Sequence, residues 1–346
     1  MEISQILLKW YISNHRDLPW RQTNDPYAIW LSEVILQQTR VEQGMPYWYK
    51  FMEHFPTISH LATADEREVL RLWQGLGYYS RARNLHQAAK TVHQEYGGVF
   101  PIKYEQIRSL KGVGDYTAAA ISSIAFNLPY AVVDGNVYRF LARLFAIETP
   151  IDTTIGKKEF AALAQQLIDK KKPGLFNQAM MEFGAVLCKP VAPLCESCPF
   201  ASRCESLQQN KVASLPIKQK KTKIRNRYFD FLIFTDEEST FLIQRTQKDI
   251  WQGLYQFPLI ESDQENENIL SNPEFKTKYK KVKAAHLWKA SPIIKHVLSH
   301  QIIYAKFWWF KFENLDEMKV DFIKIDWRKI TDFGMPQLLV HYLDKN

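Results

Sequence analysis

Apolar residues recur at helical spacing, every three or four positions, from the N-terminus to about residue 205. Turn residues separate the periodic stretches, of which the clearest are 27–40, 105–126, 136–146 and 175–188. Residues 1–20 also predict an amphipathic helix. Lys9 and His15 interrupt its apolar positions and no small-residue cleavage site follows, so a signal peptide is not expected. This part of the chain is therefore predicted to be all-α.

A basic segment follows the helical region. Residues 210–227, NKVASLPIKQKKTKIRNR, contain seven Lys or Arg, one proline and no acid. Such a composition predicts a linker. Its charge fits simple solvation and contact with a phosphate backbone equally well.

The pattern changes to that of strands after the linker. FDFLIF (229–234) and STFLIQR (239–245) flank a short acidic turn and predict a hairpin, and QIIYAKFWWF (301–310) predicts a third strand. The tract 261–281 is polar and is predicted to be a loop. The C-terminal part is therefore expected to be α+β.

Length and charge extend this two-domain prediction. We expect a helical region at 1–208, a linker at 209–227 and a second domain at 228–346. No apolar run approaches the length of a membrane span, which favours a soluble intracellular protein. The net charge is +8, yet residues 228–346 carry 16 basic and 17 acidic groups, so the excess of positive charge lies before them. This distribution predicts a polyanionic partner for the helical region.

All four cysteines of the chain lie in one short loop, CKPVAPLCESCPFASRC (188–204), with the spacing C-x6-C-x2-C-x5-C. An intracellular disulfide is a weak explanation. Four thiolates in a compact loop can hold zinc or a [4Fe–4S] cluster. Zinc sites usually contain two C-x2-C pairs and this loop has one, which favours the cluster and leaves zinc open. The predicted ligands are Cys188, Cys195, Cys198 and Cys204.

This spacing at the end of a helical region resembles the cluster loop of the endonuclease III and MutY family of DNA glycosylases. Upstream, SLKGVGDYTAAAISSIAF (109–126) has a turn between two helical stretches. Gly112 and Gly114 would let backbone N–H groups approach a phosphate at a helix N-terminus, although such turns are also common between ordinary helices. From Leu110 to Asp134 the chain resembles the helix-hairpin-helix motif of that family and the loop and aspartate that follow it.

Two carboxylates stand next to apolar runs. Asp134 ends the run AVVD before a predicted helix, where an N-cap is the simplest interpretation. The helix dipole there would also keep the carboxylate ionised, as a cation stabiliser requires. Glu33 lies among Trp30, Leu31 and Val34. It is either a surface residue of an amphipathic helix or an acid whose pKa is raised by apolar neighbours.

Further motifs resemble the adenine-specific branch of the family: LPWR (18–21), SEVILQQTRVE (32–42), GLGYYSRARNL (75–85) and VVDGNV (132–137). The resemblance implies an enzyme of base-excision repair that flips adenine out of duplex DNA and hydrolyses its glycosidic bond, opposite 8-oxoguanine or guanine, with a [4Fe–4S] cofactor. Glu33 would be the general acid, and Asp134 would stabilise or capture the sugar cation.

The resemblance also implies roles for the residues around the base. These are Tyr116 and Asn136 as assistants at the catalytic site, Arg21, Leu36 and Trp20 in the adenine pocket, and Gln38 and Tyr78 as probes or wedges in the base stack. A core position for Tyr78 stays open, because Tyr79 is equally aromatic.

One position separates the subfamilies. Endonuclease III-like lyases have a nucleophilic lysine just before the threonine of the second hairpin helix. Here Tyr116 precedes Thr117, and a phenol cannot form a Schiff base. A monofunctional glycosylase is therefore expected.

The stretch 231–261 resembles the opening of a Nudix fold, but the acidic, metal-binding helix that should follow is missing. Nudix-type hydrolysis is therefore not expected. The resemblance implies a domain that recognises 8-oxoguanine, partly through a Phe-Ser-His loop. The corresponding residues are Leu298, Ser299 and His300, in which leucine keeps an apolar wedge and loses ring stacking.

The expected partner is duplex DNA that contains adenine opposite 8-oxoguanine or guanine. We expect a monomer, cytoplasmic in a bacterium and associated with the nucleoid through DNA. Two alternatives stay open: an endonuclease III-like glycosylase/lyase and a DNA-binding scaffold without catalysis.

Overall fold

The structure is a computed structural model that describes residues 2–219, 224–280, 282, 286–318 and 320–345. It divides into two compact units. The helical unit contains the residues up to Thr63 together with those from Asn84 into the linker. The sheet unit contains Ala64–Arg83 together with the residues that follow the linker. A helical region followed by a domain that contains strands is the fold class that the sequence predicts.

The described residues form the following helices in chain order: α1 (Ile3–Asn14), α2 (Pro26–Ile35), α3 (Val41–His54), α4 (Ile58–Thr63), α5 (Glu66–Leu72), α6 (Ser80–Glu95), α7 (Tyr104–Ser109), α8 (Asp115–Phe126), α9 (Gly135–Leu144), α10 (Thr154–Leu167), α11 (Pro173–Glu182), α12 (Glu205–Gln208), α13 (Pro273–Lys278) and α14 (Gln337–Leu343). Their strands are β1 (Arg225–Thr235), β2 (Ser239–Gln244), β3 (Tyr255–Gln256), β4 (Leu259–Ser262), β5 (Leu287–Ala290), β6 (Ile294–Val297), β7 (Gln301–Lys311) and β8 (Ile323–Asp326).

Local signals set the ends of the helices that carry the site. The Asp25 side chain accepts the backbone N–H groups of Tyr27 and Ala28, so α2 begins at Pro26. The predicted helix at 27–40 ends early, at Ile35, and Gln38 has a left-handed backbone with φ of 56°. At the other end of the unit, α11 stops at Glu182 and continues as one π-helical turn, Phe183–Leu187.

Aromatic packing fixes the cysteine loop to the helices. The Phe183 ring lies 4.7 Å from that of Phe140 on α9, and both are 5.4 Å from the Phe200 ring in the loop. All three side chains are buried in the core of the helical unit. Aromatic pairs of this kind add about 0.5–1.5 kcal/mol each beyond the area that they bury.

A mixed sheet forms the sheet unit, with the order β3-β2-β1-β7-β5. The central strand β1 runs parallel to β7 and antiparallel to β2, which confirms the predicted hairpin. Strands β4, β6 and β8 pair antiparallel with β1, β7 and β2. Because β1 is buried on both faces along most of its length, its sequence is a continuous apolar run and not an alternating one.

Two predictions for this part of the chain are wrong. The tract 261–281 is not a loop throughout, since it contains the end of β4, the 3-10 turn Ile269–Ser271 and α13. Asn272 caps α13 by accepting the backbone N–H groups of Glu274 and Phe275, and the buried Phe275 ring anchors it. Lys281 lies outside the described residues. Strand β1 also begins at Arg225, inside the segment predicted as linker.

Ala64–Arg83 contacts residues distant in sequence within the sheet unit. Gln74 Oε1 accepts the backbone N–H of Met335 at 3.0 Å, and Arg83 donates to the carbonyl of Gln252. The backbone of Gly253 packs closely against the side chain of Leu70, because a Cβ on Gly253 would lie 2.9 Å from Cδ1 of Leu70. The segment thus depends on the C-terminal part of the chain for its packing.

Within the described residues, no helix is both long and apolar enough to cross a membrane.

Candidate active site and cysteine loop

A cavity of about 630 Å³ in the helical unit is lined by both predicted carboxylates. Glu33 comes from the middle of α2, and Asp134 stands at the N-terminus of α9. Tyr116, Asn136 and Arg21 line the same cavity, together with Trp20, Leu36 and Gln38. The structure therefore brings these eight predicted site residues to one pocket.

Glu33 is a buried acid, with 8% of its surface exposed. Its neighbours on α2, Trp30, Leu31 and Val34, are buried as well. The hydroxyl of Tyr116 donates to Glu33 Oε2 at 2.6 Å. Burial raises the pKa of Glu33 to about 7; the Tyr116 hydrogen bond lowers it, the charge of Asp134 raises it and that of Arg21 lowers it. An acid in this environment can hold a proton at neutral pH, so the surface-residue interpretation is wrong.

Asp134 caps α9. Its Oδ1 accepts the backbone N–H groups of Asn136 and Val137 at 2.9 and 2.8 Å, and its Oδ2 accepts the Asn136 side-chain amide at 2.7 Å. These bonds favour the ionised form, as the sequence predicts. Burial outweighs them, however, and the pKa of Asp134 lies above its ordinary value. The pocket thus contains two carboxyl groups whose protons are both held more tightly than in water.

The adenine-pocket candidates lie on the short helical turn Pro19–Arg21 and at the end of α2. Trp20 is buried, and its ring packs edge-on against Trp48 at 5.9 Å. Arg21 does not stand free in the pocket, because its Nη2 donates to Glu182 Oε2 at 2.7 Å. Leu36 is partly exposed and directly follows α2.

The predicted hairpin joins α7 to α8. Position 112 requires a glycine, because its φ is +78° and a Cβ there would lie 2.7 Å from the Cβ of Asn84. Gly114 is the N-cap of α8, and this N-cap makes no side-chain hydrogen bond to the first N–H groups of the helix. Asp115 follows in the first turn, and Arg108 Nε pairs with its Oδ1 at 2.5 Å.

The four cysteines line a second cavity, of about 30 Å³, whose walls include Phe140, Phe183 and Phe200. None of them is in a disulfide. Within the described residues, no three His, Cys, Asp or Glu side chains lie close enough together to hold one metal ion. A single zinc ion would need the four sulfurs within about 4 Å of one another. A four-iron cube binds each thiolate at a different corner and so spreads its ligands. The four thiol side chains around this cavity are a donor set of the kind that a [4Fe–4S] cube binds.

Two arginines on α9, which the sequence analysis did not identify, hold the cysteine loop. Arg143 is 3% exposed and donates to the carbonyls of Lys189 and Pro190 at 2.7 and 3.2 Å, and to Cys188 Sγ at 3.5 Å. Arg139 donates to the carbonyl of Cys188 and to Asn136 Oδ1 at 2.7 and 2.8 Å. Their i, i+4 spacing places both on one face of α9, but nothing in the sequence links that face to a loop that begins 45 residues later.

The remaining predicted residues lie in the sheet unit. Tyr78 is 41% exposed and has a left-handed backbone with φ of 47°, so it is not a core residue. Its hydroxyl contacts that of Ser299. Leu298, Ser299 and His300 form the turn between β6 and β7, where Ser299 and His300 are exposed and Leu298 is partly buried.

Comparison with known proteins agrees with this organisation. Residues 31–170 match the model of the HhH-GPD superfamily base excision DNA repair protein, and residues 231–345 match the NUDIX domain. Among solved structures, a thermostable thymine-DNA glycosylase is 30% identical with a TM-score of 0.56, over 60% of this chain and 95% of that one. Endonuclease III in a non-covalent DNA complex gives a TM-score of 0.52 at 23% identity, over 60% and 94%, which supports the fold alone.

Curated relatives extend the match to the whole chain. The adenine DNA glycosylase of Buchnera aphidicola subsp. Acyrthosiphon pisum is 36% identical over 76% of this chain and 75% of its own length. That of subsp. Schizaphis graminum is 30% identical over 96% and 95%. The human adenine DNA glycosylase is 47% identical over 59% of this chain and 39% of its own length. The chain therefore belongs to the adenine DNA glycosylase family.

Proposed function

We propose that this protein removes adenine from duplex DNA where it is paired with 8-oxoguanine or guanine, with Glu33 as the general acid. The observation that carries the proposal is the pocket in which a buried glutamate, its Tyr116 partner and a second carboxylate line one cavity. A cavity of this size is typical of small-molecule sites and would accept a flipped base.

The chemistry follows from the two carboxyl groups. The bond between C1′ of the sugar and N9 of the base breaks, and its electron pair stays on the base. A proton from Glu33 to a ring nitrogen offsets that charge, so adenine leaves as a neutral molecule. The sugar becomes a cation, which the Asp134 carboxylate stabilises or captures. Water then adds at C1′ and leaves an abasic site.

Tyr116 and Asn136 orient these groups. The Tyr116 hydroxyl holds Oε2 of Glu33, and the Asn136 amide holds Oδ2 of Asp134. Because Tyr116 occupies the position of the lyase nucleophile, the reaction should stop at the abasic site. A strand-nicking assay tests this assignment. With a monofunctional glycosylase, the strand breaks at the abasic site only after alkali is added. A lyase breaks the strand without alkali, and a scaffold gives no break under either condition.

We propose further that the turn Leu298–His300 recognises the base opposite adenine. The lesion differs from guanine at C8 and N7, so a donor or acceptor must approach those atoms. Ser299 and His300 are exposed and supply such groups. The test is excision from duplexes that pair adenine with 8-oxoguanine, guanine or cytosine. Equal rates on all three would contradict this assignment.

The cysteine loop is proposed to hold a [4Fe–4S] cluster on Cys188, Cys195, Cys198 and Cys204, as the cavity between these thiols supports. When bound, the cluster would join the four cysteines of the loop to one another, and hydrogen bonds from Arg139 and Arg143 would hold the loop to α9. Lys189 and Arg203 in the same loop would then present charge to phosphates. Iron analysis and a broad visible absorbance band test this proposal, and Cys198→Ser should weaken DNA binding. Stoichiometric zinc without iron in anaerobically prepared protein would rule the cluster out.

A further inference from the structure

Glu182 is a buried acid to which the reaction above gives no role. It is the last residue of α11 and is 1% exposed. Its Oε1 accepts the backbone N–H and Nε of Arg16 at 3.0 and 2.8 Å. Its Oε2 accepts Nη2 of Arg16 and Nη2 of Arg21 at 2.8 and 2.7 Å. Burial alone would raise the pKa of Glu182, but these hydrogen bonds outweigh it and lower the pKa to about 2.

Arg16, Arg21 and Glu182 all line the cavity, and Arg21 is the member of this cluster that is predicted to contact adenine. Its Nη1 donates to the carbonyl of Arg16 at 3.0 Å, and its guanidinium lies 5.6 Å from the centre of the Tyr11 ring. Only 12% of its side chain is exposed. The guanidinium is thus held by three groups: the Glu182 carboxylate, the Arg16 carbonyl and the Tyr11 ring.

We propose that Glu182 is a positioning residue of the base-excision site, which fixes the Arg21 guanidinium against the adenine pocket and offsets part of its charge there. This inference rests on the proposed role of Glu33 as the acid. A free guanidinium in the pocket would work against that role, because a nearby positive charge favours the ionised carboxylate. Arg21 can therefore contact the base at a smaller cost to the proton on Glu33 while Glu182 offsets part of its charge.

The charged and titratable groups that face Glu33 come from three elements. Tyr116 on α8 and Arg21 on the Pro19–Arg21 turn favour its ionised form, and Asp134 at the start of α9 favours its protonated form. Glu182 acts on this balance through Arg21. Removal of its charge leaves Arg21 uncompensated, so Glu33 should lose its proton at lower pH.

If the role of Glu182 were purely structural, its substitution would change the stability of the protein and not the pH dependence of excision. A buried ion pair is weak evidence for stability, but loss of one partner is strongly destabilising. The structural alternative is that Glu182 serves only to hold α11 against the segment after α1 that contains Arg16. In that case Glu182→Gln and Arg16→Gln should lower the melting temperature alike and leave the pH dependence of excision unchanged. Arg16→Gln removes two side-chain bonds to Glu182 and leaves the bond from Arg21 in place, so it is the matched control.

The experiment measures single-turnover adenine excision against pH with the full-length protein and its variants. In Glu182→Gln, the midpoint of the alkaline fall in rate should drop by about one pH unit, which makes excision on the alkaline side about tenfold slower. Arg16→Gln should keep the wild-type midpoint. The double variant Arg21→Gln/Glu182→Gln, which removes both charges, should restore it.

Arg21→Gln tests the inference if Glu182→Gln does not fold. In Arg21→Gln, Glu182 keeps its bonds to Arg16. Its midpoint should rise, since one positive charge near Glu33 is lost. An unchanged midpoint in both Glu182→Gln and Arg21→Gln would overturn the inference. Failure of the proposed function would look different, because wild-type protein itself would then show no fall in rate at alkaline pH.

Discussion

The pocket of the helical unit and the turn Leu298–His300 of the sheet unit present polar groups in opposite ways. In the pocket, Glu33 is 8% exposed and its carboxyl oxygen is already bound by Tyr116. In the turn, the side chains of Ser299 and His300 are exposed. Proton delivery needs a dry environment that keeps an acid protonated, whereas recognition of a base edge needs donors that a nucleotide can reach. The burial of a polar group therefore indicates which of these two tasks it can perform.

The carboxylates should give the largest effects. Glu33→Gln keeps the side-chain volume and cannot deliver a proton, so excision should fall by about 10²–10⁴-fold. Asp134→Asn should have a similar effect, because it removes the charge that meets the cation. Single-turnover excision and duplex binding measure the two properties separately, and binding should stay near wild type.

Glu53→Gln is the control for these variants, since Glu53 is an exposed glutamate on α3. It should excise adenine normally. Substantial turnover by either carboxylate variant would mean that the pocket does not contain the acid and the cation stabiliser that we assign.

Substitutions in the turn Leu298–His300 should change the preference for 8-oxoguanine over guanine and leave the excision reaction itself intact. Ser299→Ala with His300→Ala should reduce the preference for 8-oxoguanine over guanine, at about 1–3 kcal/mol for each good contact that is lost. Leu298→Phe should change affinity more than preference, because it restores stacking and adds no hydrogen bond. The ratio of excision rates on the two duplexes checks both. A preference unaltered by the double alanine variant would place recognition elsewhere.

Gly184 tests how tightly the pocket is built. A Cβ at this position would lie 2.5 Å from the carbonyl oxygen of Asn136 and 2.7 Å from its Cβ. Gly184→Ala should therefore push the π-helical turn Phe183–Leu187 away from α9, cost roughly 1–3 kcal/mol of stability and slow excision. Thermal unfolding and single-turnover rates measure the two effects. Gly135→Ala is the matched control, because nothing lies within 4 Å of a Cβ there, and its stability should not fall in this way.

Tyr116→Phe should give the smallest effect. The Tyr116 hydrogen bond favours ionised Glu33, so its loss should raise the pKa of that acid further. Excision depends on the protonated form, and the alkaline limb should therefore move to higher pH, by about one unit for a hydrogen bond to a charged group. The pH dependence of the single-turnover rate checks this shift. A shift to lower pH would mean that the hydroxyl supports the acid and not the carboxylate.

Much of this organisation could be predicted from local sequence. The four cysteines meet at one cavity, Asp134 caps α9, and β1, β2 and β7 appear where apolar runs predict them. Each depends on residues close together in the chain or on a strong periodic pattern. The loop prediction for 261–281 failed at α13 for a local reason as well. One buried aromatic residue and an asparagine cap form a helix inside this polar tract.

Other features depend on partners far apart in the chain. Glu182 is a single acid in an apolar helix, and its meaning comes from Arg16 and Arg21, which are 166 and 161 positions away. Likewise, nothing in the sequence of Ala64–Arg83 shows that it packs with the C-terminal part of the chain. Removal of the residues after the linker would remove the bonds that Gln74 and Arg83 make to them, so point variants separate the two tasks more cleanly than truncation does.

The measurement that tests the central claim most directly is the pH dependence of adenine excision by the wild-type enzyme. Single-turnover rates on a duplex that pairs adenine with 8-oxoguanine should be followed from about pH 5 to about pH 9. If Glu33 delivers the proton from its buried position, the rate should fall as pH rises through about 7, the pKa to which burial raises this acid. A rate that stays constant across this range would contradict the account.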